Sequence, residues 1–327
     1  MTRPGDLDLD DVLVVTFRKG FWDSPECEIF PRRVYGKVVR GHSSGWLNTL
    51  AVAAQALAAA ARRRPKLLLF GSAHRLVPFY LVLRRLRLVT TPAIVTNQVH
   101  FGPRYARYAR RVIVYSSREA EGRPNYVYLP IPADGDFGHV VPHAEDGPYV
   151  FSGGGTLRDF ASLVKAVAGT DLRLTIVTHS PETLGVPGPL PGNCRVLWRM
   201  PLQEFLSLMA GAAVVVVPLR AGDTPHGHTT IAQALCLGKA IVTTRGAGVA
   251  DYVRDGVEGL LVEPGDVDGY RAAIRTLLED EELRAACERR ARTRRSEFTY
   301  SALARSLRVL CEEVLGESGP DAASRAG

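Results

Sequence analysis

The segment 214–264, VVVVPLRAGDTPHGHTTIAQALCLGKAIVTTRGAGVADYVRDGVEGLLVEP, limits the possible folds more than any other part of the chain. Val214 to Val217 is a β-branched run stopped by Pro218, the pattern of a parallel strand buried on both faces. After a glycine-punctuated loop, Thr229 and Thr230 open a helical run, IAQALCL, that Gly238 closes. Lys239 to Thr244 reads as a second short strand and Arg245 to Val249 as a second glycine loop. Leu260 to Val262 is a third strand. The unit is βαβαβ, and its sheet is predicted to be parallel.

Ligands of such sheets lie outside the carboxyl ends of the strands, so the loops at 219–228 and 245–249 are expected to face one crevice. A helix starting at Thr229 offers unpaired N–H groups, a positive dipole end and two hydroxyls, which suit a diphosphate. Glycines at 227, 246 and 248 would let backbone come close to the anion. Gln233, one turn further along, is placed to bridge two hydroxyls.

Taken together, the glycine, the hydroxyl pair, the amide before Ala234, the GK step and the DYV..G..G.LV.PGD run resemble the nucleotide-binding half of GT-B-type glycosyltransferases, particularly the retaining family 4. The resemblance implies an α/β fold of two Rossmann-like domains facing across a cleft, with a C-terminal helix crossing back to the N-terminal domain. It also implies that Gly227, Thr229 and Thr230 hold the diphosphate of a nucleotide sugar and that Gln233 takes its ribose. The chain departs from the pattern at two positions. Where the family has glutamates eight residues apart, Pro225 and Gln233 stand here, and an amide holds a ribose without charge assistance.

The same alternation continues through the rest of the chain. Strands are predicted at 11–17, 35–39, 66–70, 93–96, 112–116 and 125–129, with helices at 45–63 and 76–86, giving an N-terminal Rossmann-like acceptor domain over 1–132. A Pro- and Gly-rich linker is expected at 133–148 and the nucleotide-sugar domain at 149–300. The returning helix covers 301–316, and 317–327 reads as a disordered tail. Within the second domain, SGGGTLRDF follows a strand. Gly154, Gly155 and Arg158 resemble the family's first diphosphate loop, although its second basic position is glycine here, and Asp159 suits a helix N-cap.

The remaining candidates come from loop position. His100, just past a strand end, is a catalytic candidate beside Arg158, since the family often places a histidine there against the donor sugar. His74, Trp46 and Trp22 are acceptor-side candidates, although aromatics of this kind also fill cores. His226 and His228 sit on alternate residues but lack a well-spaced third ligand. They read as lining the donor site together with Gly248, and no metal is expected. The five cysteines are scattered without a CxxC pair, which gives neither a disulfide framework nor a zinc site.

A net charge of +7 favours anionic partners. Its arginines cluster at 62–64, 84–87, 104–111 and 289–295, and such clusters either bind anions or solvate helices. The expected partners are a nucleoside diphosphate sugar, an unidentified acceptor (a small molecule, glycan or lipid-linked sugar), and a membrane surface met peripherally through basic patches. No nucleic-acid motif is present. No cofactor is expected beyond the donor as cosubstrate. The polar N-terminus and the lack of a long apolar run point to a cytoplasmic protein. The leading expectation is a metal-independent, retaining glycosyltransferase. Two alternatives remain: a noncatalytic GT-B-like auxiliary or scaffold subunit, and a nonhydrolysing nucleotide-sugar epimerase.

Overall fold

The computed structural model describes residues 9–16, 21, 24–30, 33–35, 55–56, 58–62, 64–71, 76–96, 105–133, 135, 137–222 and 226–317. The chain divides into two compact units, one comprising 1–129 with 300–327 and the other 130–299.

The first unit holds a six-stranded parallel sheet: β1 (Val12–Thr16), β2 (Arg33–Tyr35), β3 (Leu67–Phe70), β4 (Ala93–Thr96), β5 (Arg111–Val114) and β6 (Tyr126–Tyr128), in the order β2-β1-β3-β4-β5-β6. Every residue of β1, β3 and β4 is buried, as expected of strands covered on both faces. One face is covered by α1 (Leu76–Arg85), through Leu76, Val77, Tyr80 and Leu81. The other is covered by the last helix, Tyr300–Glu317. Its Leu307, Leu310, Cys311 and Val314 share a core with Val12, Val14, Leu67, Leu69 and Ile94. That helix runs through Glu317, whose carboxylate pairs with Arg110 and Arg111. The strand expected at 35–39 lies earlier, at Arg33–Tyr35. Most of the helix expected at 45–63 lies outside the described residues; 55–56 and 58–62 are helical.

The second unit also holds six parallel strands: β7 (Val150–Gly153), β8 (Leu174–Thr178), β9 (Cys194–Trp198), β10 (Val214–Val217), β11 (Ile241–Thr244) and β12 (Gly259–Val262), ordered β12-β11-β10-β7-β8-β9. After the four-residue helix α2 (Ser117–Ala120) of the first unit, the helices continue as α3 (Phe160–Val167), α4 (Pro181–Leu184), α5 (Leu202–Gly211), α6 (His228–Cys236), α7 (Val267–Glu279) and α8 (Glu281–Arg294), with Tyr300–Glu317 as α9. Aspartates start three of them: Asp159, Asp266 and Asp280 accept from Ser162 N, Gly269 N and Leu283 N. The segment expected as a linker at 133–148 is held against the second unit. Ala133 N donates to Phe298 O, His143 N to Ser207 O, and Glu145 pairs with Arg195. Its prolines and glycines keep it irregular while its backbone groups find partners elsewhere in the unit.

Candidate functional site

In the second sheet, β7 lies between β8 and β10, and chain order reverses there. Loops leaving β7 and β10 start at this switch point, and sheets of this kind bind ligands there, at the carboxyl ends of the strands. Backbone pairing fastens the two loops together. Arg158 and Leu219 form an isolated antiparallel bridge, Asp159 N donates to Pro218 O at 3.0 Å, and Arg220 N donates to Leu157 O at 3.0 Å.

Arg158 stands at the centre of this junction. Its side chain is buried, only 5% exposed. The loop curls the side chain back on itself: Nε donates to Gly153 O at 3.0 Å, one terminal nitrogen to Thr156 O at 3.1 Å, and the other to Thr230 Oγ1 at 2.9 Å. No carboxylate pairs with it among the described residues. Burial lowers its pKa to about 10, so the guanidinium stays charged at neutral pH. Three of its five N–H groups are bonded in this way, and the other two have no partner among the described residues. Gly154 allows this arrangement. At φ +105, a Cβ on it would lie 2.6 Å from an Arg158 terminal nitrogen.

The helix α6 begins one residue earlier than expected, because Gly227 adopts φ +83 and serves as its N-cap. A Cβ at 227 would come within 2.7 Å of Leu219 Cδ2 and 3.4 Å of Arg158, so only glycine brings the helix start this close. The helix thus points its free N–H groups and dipole toward the buried guanidinium, with Thr230 joining the two. Thr230 is buried and Thr229 is exposed; the hydroxyl pair therefore does not act as a unit. Gln233 is 5% exposed, which rules out a solvated helix residue.

His228 is 4% exposed and stacks on Tyr252 at 4.4 Å between centroids, and Tyr252 in turn stacks on Phe298 at 5.5 Å. Its Nε2 is buried without a hydrogen-bond partner among the described residues. Burial, offset in part by Asp251 and reinforced by His226 and Arg158, lowers its pKa to about 4. The imidazole is therefore neutral at pH 7. Gly248, at φ +74, caps the turn Val249–Asp251. At Gly246 a Cβ would meet no protein atom closer than 3.9 Å, so packing within the chain does not demand glycine there.

The structure brings Gly154, Arg158, Gly227, His228 and Thr230 together. Gly155 packs on the same loop, where a Cβ would lie 2.8 Å from the His179 ring. His74, His100, Trp22, Trp46 and Pro225 lie outside the described residues. Tyr252 and His179 were missed by sequence reasoning, although His179 directly follows a strand end, the signal that singled out His100.

The folds of both units match solved structures across nearly the whole chain. HepE from Anabaena, in complex with UDP and glucose, aligns with TM-score 0.63 over 95% of this chain and 97% of that one, at 16% identity. Sucrose-phosphate synthase from Thermosynechococcus elongatus aligns with TM-score 0.67 over 93% and 89%, also at 16% identity. The fold is that of the GT-B-type glycosyltransferases. Within it, residues 189–294, including β10, α6 and β11, match the family model described as Glycosyl transferases group 1.

Among curated proteins, the phosphatidyl-myo-inositol mannosyltransferase of Mycolicibacterium smegmatis is 30% identical over 159 residues, 48% of this chain and 41% of that protein. The lipopolysaccharide core biosynthesis glycosyltransferase LpsE of Rhizobium meliloti is 32% identical over 107 residues, 32% of this chain and 30% of that protein. The chain thus spans 41% and 30% of these two relatives' length. Among the described residues, no helix is long and apolar enough to cross a membrane.

Proposed function

We propose that the chain transfers a sugar from a nucleoside diphosphate sugar to an acceptor held by the first unit, with retention of anomeric configuration and without a metal. The observation that carries this reading is Arg158, a buried guanidinium with two unused donors and no carboxylate partner among the described residues, joined through Thr230 to the first turn of α6. An uncompensated buried cation is costly, and a diphosphate would offset that cost. As the sugar leaves, negative charge grows on the β-phosphate. Arg158 and the helix start would stabilise it in place, without reorganising at the moment of reaction. Neutral His228 would donate or accept one hydrogen bond to the donor through Nε2. Complexes of HepE with UDP and with UDP-glucose support a uridine donor as the first to try.

The test is calorimetry of the full chain with UDP, GDP, ADP and dTDP, followed by donor hydrolysis with the matching nucleotide sugar. At least one diphosphate is expected to bind in the micromolar range and its sugar to be hydrolysed slowly. The amide at Gln233 favours one second reading, an auxiliary subunit descended from a transferase. Absence of any nucleotide binding at millimolar concentration would support it over the first.

A further inference from the structure

Charge along the chain is strongly segregated. Between Glu28 and Glu119 there are seventeen lysines and arginines and no aspartate or glutamate, while the remainder has an acidic excess. Three of these cations, Lys66, Arg110 and Arg111, are paired with carboxylates from outside the stretch. Arg62, Arg64, Arg85 and Arg87 are exposed and have no carboxylate partner among the described residues. Arg84 is spent on the turn that follows α1, donating to Thr90 O and Thr91 O.

Large apolar side chains stand among these arginines. Phe79 is 57% exposed, Leu86 59% and Leu88 70%, on α1 and the turn leaving it. Single exposed apolar residues are ordinary, but three within ten positions, interleaved with arginine, form an amphipathic basic face. The apolar surface also continues inward. Phe79 lines a cavity of about 280 Å³ whose other walls include Ala60, Leu68, Phe70, Tyr80 and Leu83, with no charged side chain among its lining residues.

We infer that this face of the first unit docks on an anionic lipid bilayer, with Arg62, Arg64, Arg85 and Arg87 against the headgroups and Phe79, Leu86 and Leu88 in the hydrocarbon. A soluble polyanion would satisfy the arginines and leave three large apolar groups in water. A neutral apolar partner would bury the arginines unpaired. An anionic membrane interface meets both halves of the surface, through apolar burial and electrostatic attraction acting together. The inference concerns a surface far in sequence from Arg158, and it stands whether or not the donor reading is correct.

Co-sedimentation of the full chain with vesicles of phosphatidylcholine alone, and of phosphatidylcholine mixed with phosphatidylglycerol, tests it. Partitioning onto the mixed vesicles is expected to be at least about tenfold stronger and to weaken as salt is raised. Replacing Arg85 and Arg87 by glutamine should lower it about fivefold per residue. The triple change Phe79→Ser, Leu86→Ser, Leu88→Ser should also abolish most vesicle binding while leaving binding to soluble polyphosphate unchanged. Thermal melting of each variant is expected to match the parent, since all five side chains are largely in solvent. Equal partitioning onto both vesicle types would overturn the inference, as would an apolar triple variant that sediments like the parent.

Discussion

Both units are six-stranded parallel sheets, but their chains reverse direction at different places. Counted from its own first strand, the first sheet runs 2-1-3-4-5-6 and the second 3-2-1-4-5-6. The first order begins as flavodoxin-like sheets do and the second is that of dinucleotide-binding folds, so the crevice falls between β1 and β3 in one and between β7 and β10 in the other. Different chemistry occupies the two places. At the second, a buried arginine and a helix start converge. In the first sheet, the described carboxyl ends carry buried hydroxyls, Thr16, Thr96 and, just past β5, Ser116, with no cation buried among them. A cationic crevice suits a diphosphate, whereas hydroxyls suit a polyhydroxyl acceptor.

The largest expected effect on this comparison is in acid. His228, with a pKa lowered from 6.5 to about 4, binds its proton less readily in the folded chain than in the unfolded one. Its contribution to stability is complete above pH 6.5 and is lost as pH falls toward 4, by about 3 kcal/mol in all. A His228→Gln variant lacks this slope. Denaturant unfolding of both proteins from pH 7 to pH 4 is expected to show the parent losing about 3 kcal/mol more than the variant. Parallel curves would mean that the imidazole is hydrated, and the second crevice would be no drier than the first.

Next is Arg158→Met, which keeps much of the volume and removes the charge. Affinity for the nucleoside diphosphate is expected to fall by roughly 1.5–3 kcal/mol, read by calorimetry. The melting temperature should fall as well, because Gly153 O and Thr156 O lose their donor. An unchanged dissociation constant would place the anion elsewhere and remove the contrast between the two crevices.

How much of this could be read in the sequence follows the range of the interactions. Val214–Val217 with Pro218, and the N-cap Asp159, are set by local patterns, and the structure has them where the residues place them. The burial of Arg158 was not legible, since it depends on Leu219 and Thr230, which lie 61 and 72 positions away and arrive there only through sheet order. Leu219 in turn is fixed by Thr244, whose Oγ1 accepts from its N–H at 2.6 Å. For the same reason the exposure of Thr229 and the burial of Thr230 could not be separated on paper. The strand order 2-1-3-4-5-6 was equally hidden, because a β2 of three residues, Arg33–Tyr35, gives too short a pattern to place at an edge.

Gln233 sharpens the second crevice on a smaller scale. It is buried and already has an interaction partner. If it also holds the donor ribose, Gln233→Leu should weaken donor binding by about 1 to 3 kcal/mol, since ribose hydroxyls would be left unpaired. Gln233→Glu should bind the donor at least as well as the parent, because a carboxylate accepts hydroxyl hydrogen bonds more strongly than an amide. Three equal dissociation constants would confine Gln233 to a packing role.

The smallest effect is expected in the first sheet, at Ser116. Its Oγ is buried with no partner among the described residues, and it caps α2 in position only, with no side-chain hydrogen bond. A buried hydroxyl without a partner is a cost to the folded state, so Ser116→Ala should be neutral or should stabilise the chain by up to about 1 kcal/mol. Thr96 makes the contrast: its Oγ1 donates to Phe70 O at 3.1 Å, so Thr96→Val should destabilise by about 1 kcal/mol. Denaturant unfolding separates the pair. If Ser116 is kept for an acceptor hydroxyl, the alanine variant should be at least as stable as the parent, bind the nucleoside diphosphate equally well, and need more acceptor to reach half-maximal transfer. A stability loss in Ser116→Ala would mean that the hydroxyl is bonded in solution, and Ser116 would then offer no spare donor to set against the two on Arg158.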